Sequence, residues 1–108
     1  MDCSKTSEIG AYGPLYLRKH HFKRANDVHP GKQHQFDHVS LVARGPISVT
    51  VGGIETVYET DDLFIVPAKT EHHIKALRDN AVLWCLFVLR DSQGEITSVF
   101  DGNVMRYS

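Results

Sequence analysis

The chain has 108 residues, 42% of them apolar and 23% charged, with 12 Lys and Arg against 13 Asp and Glu. That is ordinary globular composition, enough for one domain around a single modest core, and it excludes an intrinsically disordered chain. A charge near zero with no basic run excludes the electrostatic footprint of a nucleic-acid binder, and the longest apolar run, Ala81 to Leu89, is too short to span a bilayer as a helix.

Segment 1–12 is polar, lacks the apolar core of a leader and is expected to be flexible, ahead of a single domain over 13–108. The stretch "PLYLRKHHF", Pro14 to Phe22, predicts a first strand. From Gly31 the chain reads "GKQHQFDHVSLVARG", and strand parity sets Lys32, His34, Phe36, His38, Ser40, Val42 and Arg44 on one face. Ile47, Val49 and Val51 alternate with polar residues. Gly52-Gly53 then reads as a tight hairpin turn leading into Ile54 to Tyr58, because both central residues of such a turn need positive φ. Leu63 to Val66 is a short apolar run closed by Pro67, and His72 to Leu77 leads through Arg78-Asp79-Asn80 into the run at 81–89. Ile96 to Phe100 can supply a last strand. The runs at 63–67 and 81–89 are apolar on both faces, as expected near the middle of a packed double sheet. No window sustains helical periodicity, so the pattern predicts seven to nine short strands in an all-β sandwich or jelly roll. Cys85 lies in the most apolar run and reads as a buried, reduced thiol, which fits a cytoplasmic protein.

Seven histidines are many for this length, and five of them, His29, His34, His38, His72 and His73, fall in two short windows. Imidazole is the commonest metal ligand, so clustering points toward a metal site. Two histidines four apart on a straight strand lie roughly 13 Å apart, so His34 and His38 meet one ion only if the strand curves strongly. His72 and His73 are adjacent, so only one of them can face inward from a strand. His20, His21 and His29 are read as solvated. Tyr16, Arg18 and Arg44 are further inward candidates, with Phe36, Tyr58, Trp84 and Phe87 as wall. An arginine on the histidine face is suited to fixing a substrate carboxylate.

The two histidine windows and the strands between them resemble the two motifs of the cupin superfamily. In the first motif, G-x5-H-x-H-x3,4-E-x6-G, anchoring the last glycine on Gly45 puts the glutamate position on His38, the second histidine on His34 and the first on Lys32. In the second, G-x5-P-x-G-x2-H-x3-N, anchoring on Pro67 puts the histidine on His72, with Asp61, Lys69 and Ala76 where the family prefers Gly, Gly and Asn. The resemblance covers about residues 25 to 90. It implies a double-stranded β-helix, or jelly-roll cupin barrel, curved enough for ligands four apart on one strand to converge. It further implies a three-histidine site, His34, His38 and His72, for a divalent metal (Fe, Ni, Zn or Mn), with His29 or His73 as a conceivable further ligand. The activity implied is that of a dioxygenase, lyase or isomerase acting on a small anionic metabolite, with Lys32, Tyr58 and Arg44 as catalytic candidates. Lys32 argues against a metal if it faces the cavity, since an ammonium is repelled by a dication. The alternatives are a non-catalytic or metal-free binder of a small molecule, or a metal-free acid/base enzyme of the sugar isomerase and epimerase kind. Exposed sheet edges at "PLYLRKHH" or "EITSVF" predict a homodimer formed by strand addition.

Overall fold

The computed structural model describes the chain over 5–29, 36–96 and 100–107, with the strands at either end described as backbone. Among the described residues every regular element is a strand. In chain order they are β1 (Lys5–Gly13), β2 (Leu15–Phe22), β3 (Val28–His29), β4 (His38–Arg44) and β5 (Ile47–Val51), then β6 (Ile54–Tyr58), β7 (Leu63–Val66), β8 (His72–Ala76), β9 (Ala81–Val88) and β10 (Phe100–Tyr107). They form a six-stranded sheet, β10-β1-β2-β9-β4-β7, and a four-stranded sheet, β3-β8-β5-β6. All neighbours pair antiparallel.

The period-2 pattern builds the core. Phe22, Val42, Phe64, Val66, Leu83 and Cys85 point inward from the larger sheet, and Ile47, Val49, Ile74 and Ala76 face them from the smaller one. Burying each large side chain of this set stabilises the fold by about 1.5–3 kcal/mol. The hairpin turn adopts the backbone expected of it, with Gly52 and Gly53 at φ 57° and 82°. Gly45, the glycine on which the first motif was anchored, follows β4 where no side chain fits. A Cβ there would stand 3.0 Å from Val42 Cγ1 and 3.1 Å from the backbone of Tyr58 and Thr60. Its amide donates to Thr60 Oγ1 at 2.9 Å, tying the end of β4 to the β6–β7 turn.

Four features differ from the sequence reading. The strand β1 begins at Lys5, inside the polar segment set apart from the domain. Its backbone pairs with β2 on one side and β10 on the other, and such pairing needs no apolar side chains. The strand β4 begins at His38, and Phe36 and Asp37 before it belong to no strand; Lys32 and His34 lie outside the described residues. Ile96 makes an isolated bridge with Arg90 and β10 begins at Phe100, while residues 97–99 of the expected last strand lie outside the described residues. Finally, Trp84, Leu86 and Val88 of β9 are not covered by a second layer among the described residues. Pairing of Leu41 with Trp84 and of Val39 with Leu86 places them on the outer face of the larger sheet.

Candidate metal and anion site

His38 opens β4 and His72 opens β8, so one imidazole comes from each sheet. His38 is opposite Val66 and His72 opposite Val51, both at the same end of the sandwich. The alternation that buries Ser40 and Val42 also turns His38 inward, and the alternation of Ile74 and Ala76 does the same for His72. The side chains are 4% and 2% exposed, and their ring centroids lie 6.0 Å apart, edge to face. His73, one residue on, is exposed and pairs with Glu71 at 3.3 Å, so the choice between the adjacent histidines falls on His72.

Burial lowers the His72 pKa below its ordinary 6.5, the neighbouring His73 adds to this, and a hydrogen bond to the Thr70 backbone works the other way. His72 is therefore held in the neutral form a metal requires. The loops preceding the two histidines are tied together: the Ala68 amide donates to Asp37 Oδ1 at 2.6 Å. Asp37 thus fixes the entry to β4 against the entry to β8, a role that strand parity concealed by assigning it to the opposite face.

Beside the histidines lies a cavity of about 340 Å³ whose lining includes Tyr16, Arg18, Phe36, Phe87 and Arg90. The Phe87 ring connects the two regions, 4.5 Å from the His38 ring and 5.4 Å from that of Tyr16. Arg18 Nη2 donates to Tyr16 Oη at 2.8 Å, while its buried Nε has no hydrogen-bond partner among the described residues. Arg90 packs over the Phe36 ring at 4.8 Å. No carboxylate belongs to the described lining, so two guanidinium groups give the cavity a positive field. A buried guanidinium N–H without an acceptor is costly, and an anion is the natural acceptor.

Of the three catalytic candidates, Arg44 and Tyr58 are among the described residues. Arg44 is exposed at the far end of β4 and reaches the Asn80 carbonyl at 3.4 Å, because a register shift between Val42 and Arg44 interrupts the parity that had set it inward. Tyr58 stacks on Phe64 at 4.3 Å and packs against the core, which is a wall role. Lys32 lies outside the described residues. Nor are the early histidines uniformly solvated. His20 faces inward at 2% exposure with its ring 4.5 Å from that of His29, and His21 meets Asn80 Oδ1 at 3.1 Å.

A donor set of neutral imidazoles suits Fe, Ni, Zn or Mn. Two imidazoles sharing one ion, each nitrogen about 2.1 Å from it, have ring centroids about 4.5–5 Å apart. The separation here is wider by about an ångström, within reach of side-chain rotation. The described pair therefore fits two positions of such a site. No group of three or more potential ligands occurs among the described residues.

Two antiparallel sheets closing around a lumen with inward histidines at one end define a β-sandwich of the jelly-roll class. A cupin domain model matches residues 21–89, and the chain belongs to that family. Its structure is similar to that of KdgF from Halomonas sp., at 26% identity and a TM-score of 0.69 over 82% of each chain. It is also similar to an RmlC-like cupin from Shewanella frigidimarina, at 23% identity and TM-score 0.67 over 82% of this chain and 78% of that one. A third likeness is to salicylate 1,2-dioxygenase from Pseudoaminobacter salicylatoxidans, solved as adducts with gentisate, at 19% identity and TM-score 0.67; 80% of this chain matches 25% of that one. No curated protein matches the chain.

Proposed function

We propose that this protein is a small metal-binding cupin that takes a small organic anion into its barrel. The observation that carries the reading is the meeting of His38 and His72, both buried and contributed by opposite sheets, beside a cavity lined by Arg18 and Arg90. His34 is the third ligand in this reading, following the motif spacing. A divalent ion bound there supplies Lewis acidity and open coordination positions.

The chain's own groups do the rest. Arg18 binds the carboxylate of the ligand, and the hydrogen bond to Tyr16 holds the guanidinium in place. Phe87 packs on His38 and separates the anion pocket from the imidazoles by one ring. The buried environment of His72 keeps a neutral donor available at neutral pH. An organic acid with a carboxylate on Arg18 and a reactive carbon near the histidines fits dioxygenase, lyase or isomerase chemistry. The salicylate dioxygenase among the structural neighbours, which holds gentisate, is in keeping with an anionic ligand. Cys85, a buried thiol outside any disulfide, is compatible with a cytoplasmic setting.

Elemental analysis of the purified chain beside its His34→Ala, His38→Ala and His72→Ala variants tests the metal. Near one equivalent of a transition metal in the parent, lost in folded variants, is the expected result. A parent that takes up nothing after incubation with Fe(II), Ni(II), Mn(II) and Zn(II) overturns it. That outcome leaves a metal-free anion-binding barrel, a reading favoured by the two arginines of the cavity.

A further inference from the structure

Tyr16 and Arg18 stand at alternate positions of β2 and both line the cavity beside the histidines. Arg18 is half-buried there, and its Nη2 donates to Tyr16 Oη at 2.8 Å. That bond fixes the role of the phenol. Its oxygen accepts from the guanidinium, so its own proton remains to be donated to something else. Among the described residues no acceptor takes that proton, and none takes the N–H of Arg18 Nε. Two donors on adjacent groups are thus left for a ligand. The other side chains of the lining bring them no oxygen. Phe36, Phe87, Val88 and Leu89 are apolar, and Arg90 is a second cation, packed over Phe36 and donating to the Gly94 carbonyl at 2.9 Å.

We infer that the anion taken into this cavity is a 2-oxo or 2-hydroxy acid, and that Tyr16 is the residue that reads the oxygen beside its carboxylate. The inference rests on the proposed role of Arg18 as the carboxylate anchor and adds a chemical requirement on the ligand. Spacing carries it. Two C=O bonds of about 1.23 Å, on carbons about 1.52 Å apart, put the oxygens of an eclipsed 2-oxo acid about 2.75 Å from each other. The donor atoms Nη2 and Oη are themselves 2.8 Å apart, so one ligand meets both without distortion. The Nε–H and the second N–H of Nη2 serve the carboxylate, and the phenol proton serves the 2-oxygen. A plain carboxylate satisfies the guanidinium and leaves the phenol proton unused. An oxygen one carbon further along falls beyond this pair of donors. A site built to bond a particular oxygen rejects the analogue lacking it, because the donor it has desolvated stays unpaired. The remainder of the acid lies against the Phe36 and Phe87 rings, which accept an apolar chain or a planar body.

The test is titration calorimetry of the full chain with acids of equal length: 2-oxobutyrate, 2-hydroxybutyrate, 3-hydroxybutyrate and butyrate. It is run on the protein as purified and again after dialysis against a chelator, because an oxygen beside a carboxylate also chelates metal. In both states the two 2-substituted acids are expected to bind about three- to tenfold more tightly than the other two, the worth of one hydrogen bond. Tyr16→Phe keeps the ring against Phe87 and is expected to erase that preference, with butyrate affinity held within about twofold. Arg18→Met is expected to weaken all the acids together. Equal affinities in the parent, or a preference that vanishes with the metal, overturn the inference and leave the anion site standing. So does a Tyr16→Phe protein that binds every acid more weakly by the same factor, since Tyr16 would then act only by holding Arg18. Should Tyr16→Phe fail to fold, the parent's ranking of 2-hydroxybutyrate against 3-hydroxybutyrate, isomers that differ only in where the hydroxyl sits, decides alone. If none of the acids binds at about 10 mM, the anion site itself is overturned and this inference with it.

Discussion

Burial of His72 has a consequence for stability that can be measured without a metal. Its folded pKa lies below the ordinary 6.5, chiefly through desolvation. The sign follows from which state holds the proton: as the pH falls through the interval beneath 6.5, the unfolded chain protonates His72 while the folded chain does not. Stability therefore decreases as the pH drops through that interval, and levels off once the pH passes below the folded pKa. One proton sets the steepest contribution at about 1.4 kcal/mol per pH unit. The assay is urea unfolding of chelator-treated protein between pH 7.5 and 5, repeated with His72→Gln, which keeps a polar side chain and does not titrate. Subtracting the two curves cancels the other histidines, including exposed His73. The expected difference is a slope approaching one proton on the acid side of 6.5. Parallel curves for parent and variant would refute the argument, because His72 would then titrate alike in both states.

Lys69 and Asp61 sit at φ 58° and 74°, where the cupin motif prefers glycine. A left-handed non-glycine residue costs about 1–2 kcal/mol, and the entropy glycine adds to the unfolded chain offsets about 0.5–1 of it. Lys69→Gly is thus expected to stabilise by about 0.5 kcal/mol and raise Tm by about 2–4 °C in calorimetry; a lower Tm would show that the Lys69 side chain makes a contact worth more than the strain. Arg18→Met is expected to weaken binding of simple carboxylates by about 10- to 100-fold in titration calorimetry, the worth of a hydrogen bond to a charged group. Unchanged affinity would remove Arg18 from the anion site. Asp37→Ala, which frees the loop before β8 from the loop before β4, is expected to lower metal affinity in a competition titration while leaving both histidines in place. An unaltered metal affinity would make the Asp37–Ala68 bond structural only.

The parts of the fold that depend on local pattern were legible. Alternation marked β5 and β6, Gly52-Gly53 marked the turn between them, and Pro67 closed β7. His38 and His72 were singled out by motif spacing, and the structure brings their rings together across the two sheets. What failed was extrapolation of parity. Arg44 was assigned inward by counting from His38, but a register shift after Val42 breaks the count, and no single residue in "VARGP" announces it. Asp37 and Arg18 show a different limit. Which loop a carboxylate ties down, and whether a guanidinium finds an acceptor, depend on elements distant in sequence. Neither the amide of Ala68 nor the company of Phe87 can be read from the neighbours of Asp37 or Arg18.

Trp84 carries the last step of the argument. An apolar run such as "AVLWCLFVL" satisfies two readings, a strand covered on both faces within one chain or a strand covered on its second face by another. Composition does not separate them, because the hydrophobic requirement is the same. Layer count does: this chain has strands for two sheets, and the smaller covers only the inner face of the larger. Ala81, Leu83 and Cys85 are then buried by the fold, and Trp84, Leu86 and Val88 stay on the outer face. The same alternation along β4 sets His38 on the inner side and Val39 and Leu41 on the outer, so one register decides what faces the lumen and what faces outward. A slip of one residue in β4 would expose His38 and bury Val39, which ties the position of the imidazole to the strand's whole apolar alternation.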